Sequence, residues 1–271
     1  MIADAFRRWK QARRIRAAEA EILARDIRPR PHGLPGPLII SLTSYPARFS
    51  SLHLVLRALL SQSVAADRVI LWLDPGDEDV LPKAARLPGL EIRTCPNWRS
   101  YKKIVPTLLE APEAYIVTAD DDIYYRPDWL AGLVAGAGGG AGVVAHRAHR
   151  VTLDRAGLPR SYDDWQRNIG APDAGPLIFP TGVGGVLYAP GVFHPEVTDA
   201  ARFGALAPMA DDVWLYWMHR LAGSRPVKIG GSFRITEWPG TQTQSLRVTN
   251  LSGDGNDRAI GAMLARYGWP G

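Results

Sequence analysis

The chain has 271 residues, 46% hydrophobic and 22% charged, with one cysteine, Cys95. This is an ordinary globular composition with enough apolar material for a sizeable core, and a lone cysteine excludes an intrachain disulfide and a thiolate zinc cluster. The formal charge of +5 resides in residues 1–30, where nine Lys/Arg oppose four Asp/Glu; the remainder is balanced, so the basic character describes an arm and not the main body.

Residues 2–25 lack Pro and Gly and are rich in Ala, Arg, Glu and Leu, which predicts a helix. Ile2, Phe6 and Trp9 fall on one side and Arg7, Arg8, Lys10 and Arg14 largely elsewhere, although Arg13 and Arg16 intrude on the apolar side. Such a helix either docks on the domain or lies on an anionic membrane surface. On the second alternative, deleting residues 1–30 is expected to abolish binding to anionic liposomes and leave catalysis intact. No apolar run approaches the roughly 18 residues needed to span a bilayer, and Met1 is not followed by a signal-peptide pattern. The expected location is the cytoplasm, with any peripheral contact at the inner face of the membrane. The base-reading and stacking features of a nucleic-acid partner are missing from the arm.

Residues 31–37 form a Pro/Gly linker, and the main domain is expected over 38–271. Strands are predicted at Leu38–Leu42, Val69–Leu73, Leu90–Arg93 and Ala114–Ala119, with helices at Leu52–Leu60 and Tyr101–Glu110 between them. This alternation predicts an α/β fold whose mainly parallel sheet carries helices on both faces. Ligands of such sheets gather at the carboxyl ends of strands, so Thr43–Arg48, Asp74–Asp77 and Asp120–Asp122 are expected to converge on one cleft. A Gly-rich connection, Gly136–Gly142, separates this half (38–135) from a second (143–260). The second half should hold a strand at Val143–Leu153, a polar loop over 161–176, and a Gly-rich approach, Thr181–Gly185, to another strand. A helix opening at Asp211-Asp212, a last strand at Val227–Ile235, a polar tail and a short helix at Ala259–Tyr267 follow.

Asp120-Asp121-Asp122 is the sharpest chemical signal. Three adjacent like charges beside an apolar core are costly unless paired, and hard divalent cations take oxygen ligands. The triplet therefore points to a metal site, with a solvated acidic turn as the alternative. Lys102 and Lys103 are either solvated at a helix start or neutralise a phosphate. Asp211-Asp212 is either a helix cap or a reacting carboxylate pair. Trp165 and Trp238, in polar loops, could stack on a sugar ring, whereas Trp214 and Trp217 have core-like spacing. His146, His149, His194 and His219 show no metal-ligand spacing.

Tyr101-Lys102-Lys103, the run Ile116–Tyr125 with Asp128-Trp129, Ser44–Arg48, Gly184–Tyr188 and Asp211–Leu215, in this order and spacing, resemble the GT-A glycosyltransferases, in particular bacterial family-2-like enzymes with an Asp-x-Asp metal motif. The resemblance covers about residues 37–260. It implies a GT-A fold, a nucleotide-sugar donor, Mn²⁺ or Mg²⁺, and a glycan or glycolipid acceptor, as in polysaccharide biosynthesis. The implied reaction is hexosyltransferase-like, with inversion at the anomeric carbon. Asp122 would bind the metal, with Asp120 or Asp121 contacting ribose or a metal-bound water, and Asp120 the second metal carboxylate. Thr43, Tyr45, Arg48, Asp74 and Lys103 would hold the donor. Asp212, with Asp211 second, would be the general base, and Gly184, Gly185, Trp165 and Trp238 would line the acceptor side. The histidine ligand that many such enzymes carry near the C-terminus has no counterpart after His219, which leaves Asp257 as the candidate. The alternatives are a sugar-phosphate nucleotidylyltransferase, whose Gly-rich phosphate loop is missing from Ser41–Arg48, and a non-catalytic carbohydrate-binding protein.

Overall fold

A computed structural model describes residues 2–240 and 255–271. The polar tail expected before the last helix lies largely outside the described residues. An eight-stranded sheet runs in the order β3-β2-β1-β4-β9-β5-β10-β7, built from β1 (Leu38–Thr43), β2 (Arg68–Leu73), β3 (Leu90–Thr94), β4 (Tyr115–Ala119), β5 (Val143–Ala145), β7 (Asp173–Ala174), β9 (Val186–Tyr188) and β10 (Val227–Lys228). A separate ribbon pairs β6 (Ala148–Arg150) with β8 (Ile178–Pro180). The fold is the mainly parallel α/β architecture expected from the sequence.

Alternation along the central strands divides the core. In β1, Leu38, Ile40 and Leu42 join α2 (Phe49–Leu60) and α4 (Trp129–Gly138) on one face, while Ile39 faces the layer of α3 (Val105–Glu110) and α6 (Asp211–Leu221). Because both faces are covered, these strands read as continuous apolar runs. β1–β4 are mutually parallel where they pair, so the chain leaves all four at one edge, after Thr43, Leu73, Thr94 and Ala119. β9 is inserted antiparallel between β4 and β5, so the segment preceding it, 181–185, meets that same edge.

Several expected elements are shorter or broken. Val143–Leu153 turns between Ala145 and Ala148 and continues in the second ribbon, and the strand expected to reach Ile235 pairs in the sheet only over Val227–Lys228. The helix expected from Tyr101 is a 3-10 turn, Arg99–Lys103, followed by α3. The final helix, α7, begins at Gly255, and α5 (Ala200–Leu206) precedes α6.

The N-terminal helix, α1 (Ile2–Leu23), docks by its inner half. Ala18 and Ile22 are buried against α2, and linker residue Arg30 pairs in parallel with Val64. Phe6 and Trp9 on the outer half are about half exposed (53% and 50%). The arm is therefore not separable up to residue 30: its inner turns belong to the domain.

Candidate active site

The loops after β1–β4 enclose a cavity of about 400 Å³. Thr43, Ser44, Tyr45 and Arg48 form one wall; Asp74 and the segment Asn97–Lys103 form another; Ala119, Asp120 and Asp121 supply the floor, and Asp211 closes the far side. The three predicted loops thus converge. The Asn97–Ser100 contribution was missed, although these polar residues follow the carboxyl end of β3 and the same edge rule would have found them.

β4 ends at Ala119 and the chain bends through Asp121-Asp122, so the alternation of an extended strand does not set where the three carboxylates point. The triplet is divided between two cations. Asp120 Oδ1 lies 3.4 Å from Lys103 Nζ, whereas Arg48 Nη1 lies 2.5 Å from Asp121 Oδ1 and 3.1 Å from Asp122 Oδ2. Ser44 Oγ donates to Asp121 Oδ2 at 2.6 Å. Arg48 also donates to Tyr45 Oη at 3.2 Å, so its guanidinium is committed within the site. Thr43 Oγ1 donates to the Trp72 carbonyl, and Asp74 accepts from Lys102 Nζ at 2.6 Å.

Lys102 and Lys103 are buried, which excludes the solvated alternative. Lys103 Nζ also lies 3.1 Å from Asp211 Oδ2 and so joins the end of β4 to the start of α6. Burial opposes its charge, but Asp211 and Asp120 outweigh that cost and hold its pKa well above the usual lysine value. Helix capping does not account for the second acid pair either, because the N-cap position is Ala210 and no side chain caps α6. Asp212 accepts from the Gly182 amide at 2.8 Å. Among the described residues it forms no salt bridge.

From the triplet and the pair, Asp120, Asp121 and Asp211 line the cavity, and Asp122 and Asp212 adjoin them in the chain. Among the described residues, Arg48 and Lys103 are the cations bound to them, since Lys102 and Asp74 satisfy each other. The surplus negative charge shows in the titration of the acids. Burial, then Asp120, pushes Asp122 up to about 7, and burial, then Asp211, does the same to Asp212. Burial also raises Asp121, against Arg48. Among the described residues no three His, Cys, Asp or Glu side chains converge as metal ligands. A hard divalent cation nonetheless suits this carboxylate-rich cluster, because such ions are commonly held by one or two carboxylates with the remaining positions left to phosphate and water. Asp122, with Asp120 nearby, would hold it.

These shifts carry a stability cost with a definite sign. The folded carboxyls titrate near 7 against 3.8 for the free side chain. The cost is therefore absent below about pH 4, grows as pH rises, and is complete above about pH 7. Asp122→Asn and Asp212→Asn are expected to stabilise the ligand-free protein at pH 8 by something on the order of 2 kcal/mol each, and not at pH 4, as thermal melts at the two pH values will read.

Other expected site residues lie elsewhere. Trp165 is buried among Tyr162 and Phe179 and donates to the Arg160 carbonyl; Trp238 is buried against Tyr124. Neither presents a face for stacking, because each fills core volume beneath its loop. Gly184 and Gly185 have φ of +96° and +87°, and a Cβ on Gly185 would come within 2.4 Å of the Trp129 ring. They form a turn packed on aromatic rings, with Trp129 Nε1 donating to the Gly184 carbonyl, and they do not line the cavity. Asp257 accepts from Ser161 Oγ and the Tyr162 amide, so its carboxylate is occupied away from the triplet.

Gly182 is the glycine that matters, and sequence alone does not single it out. A Cβ there would lie 2.8 Å from both Asp212 Oδ1 and Lys103 Nζ. Gly182→Ala is expected to lower turnover by about 10²-fold through misplacement of these two groups, with little change in melting temperature. Turnover and melting measured on the same preparation will separate the two effects.

No protein-family model matches the chain, and no curated protein matches it. Among solved structures, it is similar to a mannosyltransferase from Pyrobaculum calidifontis in complex with GDP-Man and Mn²⁺, at 13% identity over 94% of this chain and 71% of that one, with a TM-score of 0.50. A 4-diphosphocytidyl-2C-methyl-D-erythritol synthase matches 79% of this chain and 98% of its own at 18% identity and TM-score 0.47. A glucosyl-3-phosphoglycerate synthase from Mycobacterium tuberculosis, with Mn²⁺, UDP-glucose and phosphoglyceric acid, matches 48% of this chain and 46% of its own at 16% identity and TM-score 0.32. The first of these carries the likeness of fold, a GT-A-like α/β sheet. The other two align too loosely to bear on it.

Proposed function

We propose that the chain is a glycosyltransferase that moves a sugar from a nucleotide-diphosphate donor to a hydroxyl acceptor with inversion at the anomeric carbon. The observation that carries this reading is the meeting of two acidic groups of different origin at one cavity: Asp120 and Asp121 of the strand-end triplet and Asp211 of the second pair line it, with Asp120 and Asp211 joined through buried Lys103. The GT-A-like fold supports it, and the solved mannosyltransferase of similar fold is in complex with GDP-Man and Mn²⁺.

In this reading residues 38–135 bind the donor and 143–260 the acceptor. The base and ribose lie along Thr43, Tyr45 and Asp74, with the diphosphate towards Lys103. A divalent cation at Asp122 and Asp120, when bound, supplies positive charge to the leaving diphosphate. Lys103 adds a fixed positive charge in a water-poor setting, where it acts more strongly than in bulk solvent. Asp211, neutralised by Lys103, orients that ammonium. Asp212, with its pKa raised to about 7 and its Oδ1 held by the Gly182 amide, accepts the acceptor proton as the new bond forms. A nucleotidylyltransferase fits less well, because its phosphate-binding loop would occupy 41–48, where Arg48 is instead committed to Asp121 and Asp122. Incubating the purified protein with a panel of UDP-, GDP- and dTDP-sugars, with and without Mn²⁺ or Mg²⁺, tests the proposal. Metal-dependent release of nucleotide diphosphate from at least one donor is expected, and release from none overturns it.

The acceptor proposed is a glycan or glycolipid, met at an anionic membrane through the outer half of α1. There Phe6 and Trp9 stack at 6.0 Å between centroids, with Lys10 over the first ring and Arg13 over the second. No helix among the described residues is long and apolar enough to cross a membrane. Removing residues 1–14, which spares the docked turns, is expected to abolish co-sedimentation with vesicles containing phosphatidylserine and to leave donor hydrolysis unchanged.

A further inference from the structure

Whereas Phe6 and Trp9 on the outer half of α1 are about half exposed, the inner half is tied to the active-site loop over a long sequence separation. The Arg25 side chain is 2% exposed and forks onto Glu21 at 2.9 and 2.6 Å. Its Nη1 donates to the Ala58 carbonyl at the end of α2, and its Nη2 donates to the Tyr125 carbonyl at 2.9 Å. Tyr124 Oη donates to the remaining side of Glu21, on Oε2, at 3.0 Å. The buried Tyr125 ring then turns back into the site, where its hydroxyl accepts the Asp120 amide at 2.6 Å. One buried guanidinium and one carboxylate thus hold the two tyrosines that follow the triplet one residue on, past Ile123, and one of those tyrosines holds the first residue of the triplet.

We infer that Glu21 and Arg25 are positioning residues for Asp120-Asp121-Asp122, and that docking of α1 sets the geometry of this loop. The bend after Ala119 brings three carboxylates together, and their mutual repulsion favours opening the loop. Past the β4 ladder the backbone is held on one side by the Trp238 amide, which donates to the Asp122 carbonyl at 2.9 Å, and by the Ile123–Glu237 bridge. At its start and along its side chains the restraint comes from Arg48 on one flank and from the Arg25–Tyr125–Asp120 chain on the other. A buried Arg that satisfies two backbone carbonyls and a carboxylate is rigid, since moving it would strand several polar groups at once. The role of the loop in binding a cation rests on the proposed glycosyl transfer, whereas the positioning itself does not.

The test compares Arg25→Ala and the milder Tyr124→Phe with Ile22→Ala, which loosens the same helix without touching the loop. Two readouts are taken: amide hydrogen exchange of a peptide spanning 119–126, and titration with Mn²⁺ alone followed by the loss of free Mn²⁺ signal in electron paramagnetic resonance. Arg25→Ala is expected to speed exchange in 119–126 and to weaken Mn²⁺ binding by about 10-fold or more, the usual effect of removing an outer-shell support. Tyr124→Phe should give a smaller change in the same direction, and Ile22→Ala should alter neither beyond its effect on melting temperature. If Ile22→Ala matches Arg25→Ala in both readouts, or if none of the variants changes exchange in 119–126, the inference is overturned. If exchange quickens selectively in Arg25→Ala but the wild type takes up no Mn²⁺, the positioning role stands and the metal-dependent transfer reading falls.

Discussion

Asp122→Ala is expected to lower metal-dependent release of nucleotide diphosphate from the cognate donor by about 10³-fold or more, equivalent to roughly 4 kcal/mol of transition-state stabilisation. The neighbouring Asp121→Ala should behave differently. Asp121 is buried and bound by both Ser44 and Arg48, so its removal leaves Arg48 with Asp122 alone in a poorly solvated place. Breaking such a pair typically costs about 3–5 kcal/mol of stability. One residue of the triplet should therefore be defined by lost activity in a well-folded protein, and its neighbour by a lowered melting temperature. Nucleotide release by chromatography, with thermal melts of each variant, separates them. Equal loss of activity in both variants at unchanged stability would remove this division of labour.

Asp212→Asn is expected to reduce transfer by about 10²–10⁴-fold, the usual contribution of a positioned general base, while leaving donor affinity within about 2-fold. Asparagine retains an oxygen for the Gly182 amide, so the fold around it should persist. The pH profile gives the sharper evidence. A base must be unprotonated to act, and Asp212 loses its proton near 7; wild-type turnover at saturating donor and metal should rise with pH below that value and level off above it. At low Mn²⁺ a second proton should appear in kcat/KM, because Asp122 must also ionise to accept a cation and its carboxyl is raised to about 7. The limb in kcat should vanish in Asp212→Asn. A wild-type profile flat between pH 5 and 8 would exclude both residues from these roles.

What was legible in the sequence and what was not divides along physical lines. β1, β2 and β4 are short apolar runs covered on both faces, and such runs announce themselves without reference to the rest of the chain. Their carboxyl ends follow from chain direction, which is why Thr43–Arg48, Asp74 and Asp120–Asp122 could be brought to one cavity before any coordinates. Properties set by contacts across the fold were out of reach. Lys103 resembles any surface lysine until Asp120 and Asp211 are found on either side of it. Gly182 reads as one of several glycines near a strand, and only the proximity of Asp212 shows why a methyl group is excluded there. Trp165 and Trp238 sit in polar stretches yet are buried, because their loops fold over them. Docking of α1 was one of the two alternatives the sequence offered, but its contacts were out of reach for the same reason: Glu21 and Arg25 look like an ordinary solvated i, i+4 pair, and their partners lie about 100 residues away.

That last separation bears on how the molecule is made. α1 emerges during synthesis well ahead of Tyr124 and Tyr125, which complete its polar contacts about 100 residues later. At roughly 5–20 residues per second this is an interval of about 5–20 s. During it Ile22 has only the partly formed α2 surface to cover, and the Arg25–Glu21 fork has no carbonyl from 125 to close upon. α1 is thus secured long after it is made, and the acidic loop reaches its final geometry in the same step. A nascent chain truncated before residue 124 would hold the segments of β1 to β4, α2 and α3, but neither the triplet's full restraint nor a fully secured α1.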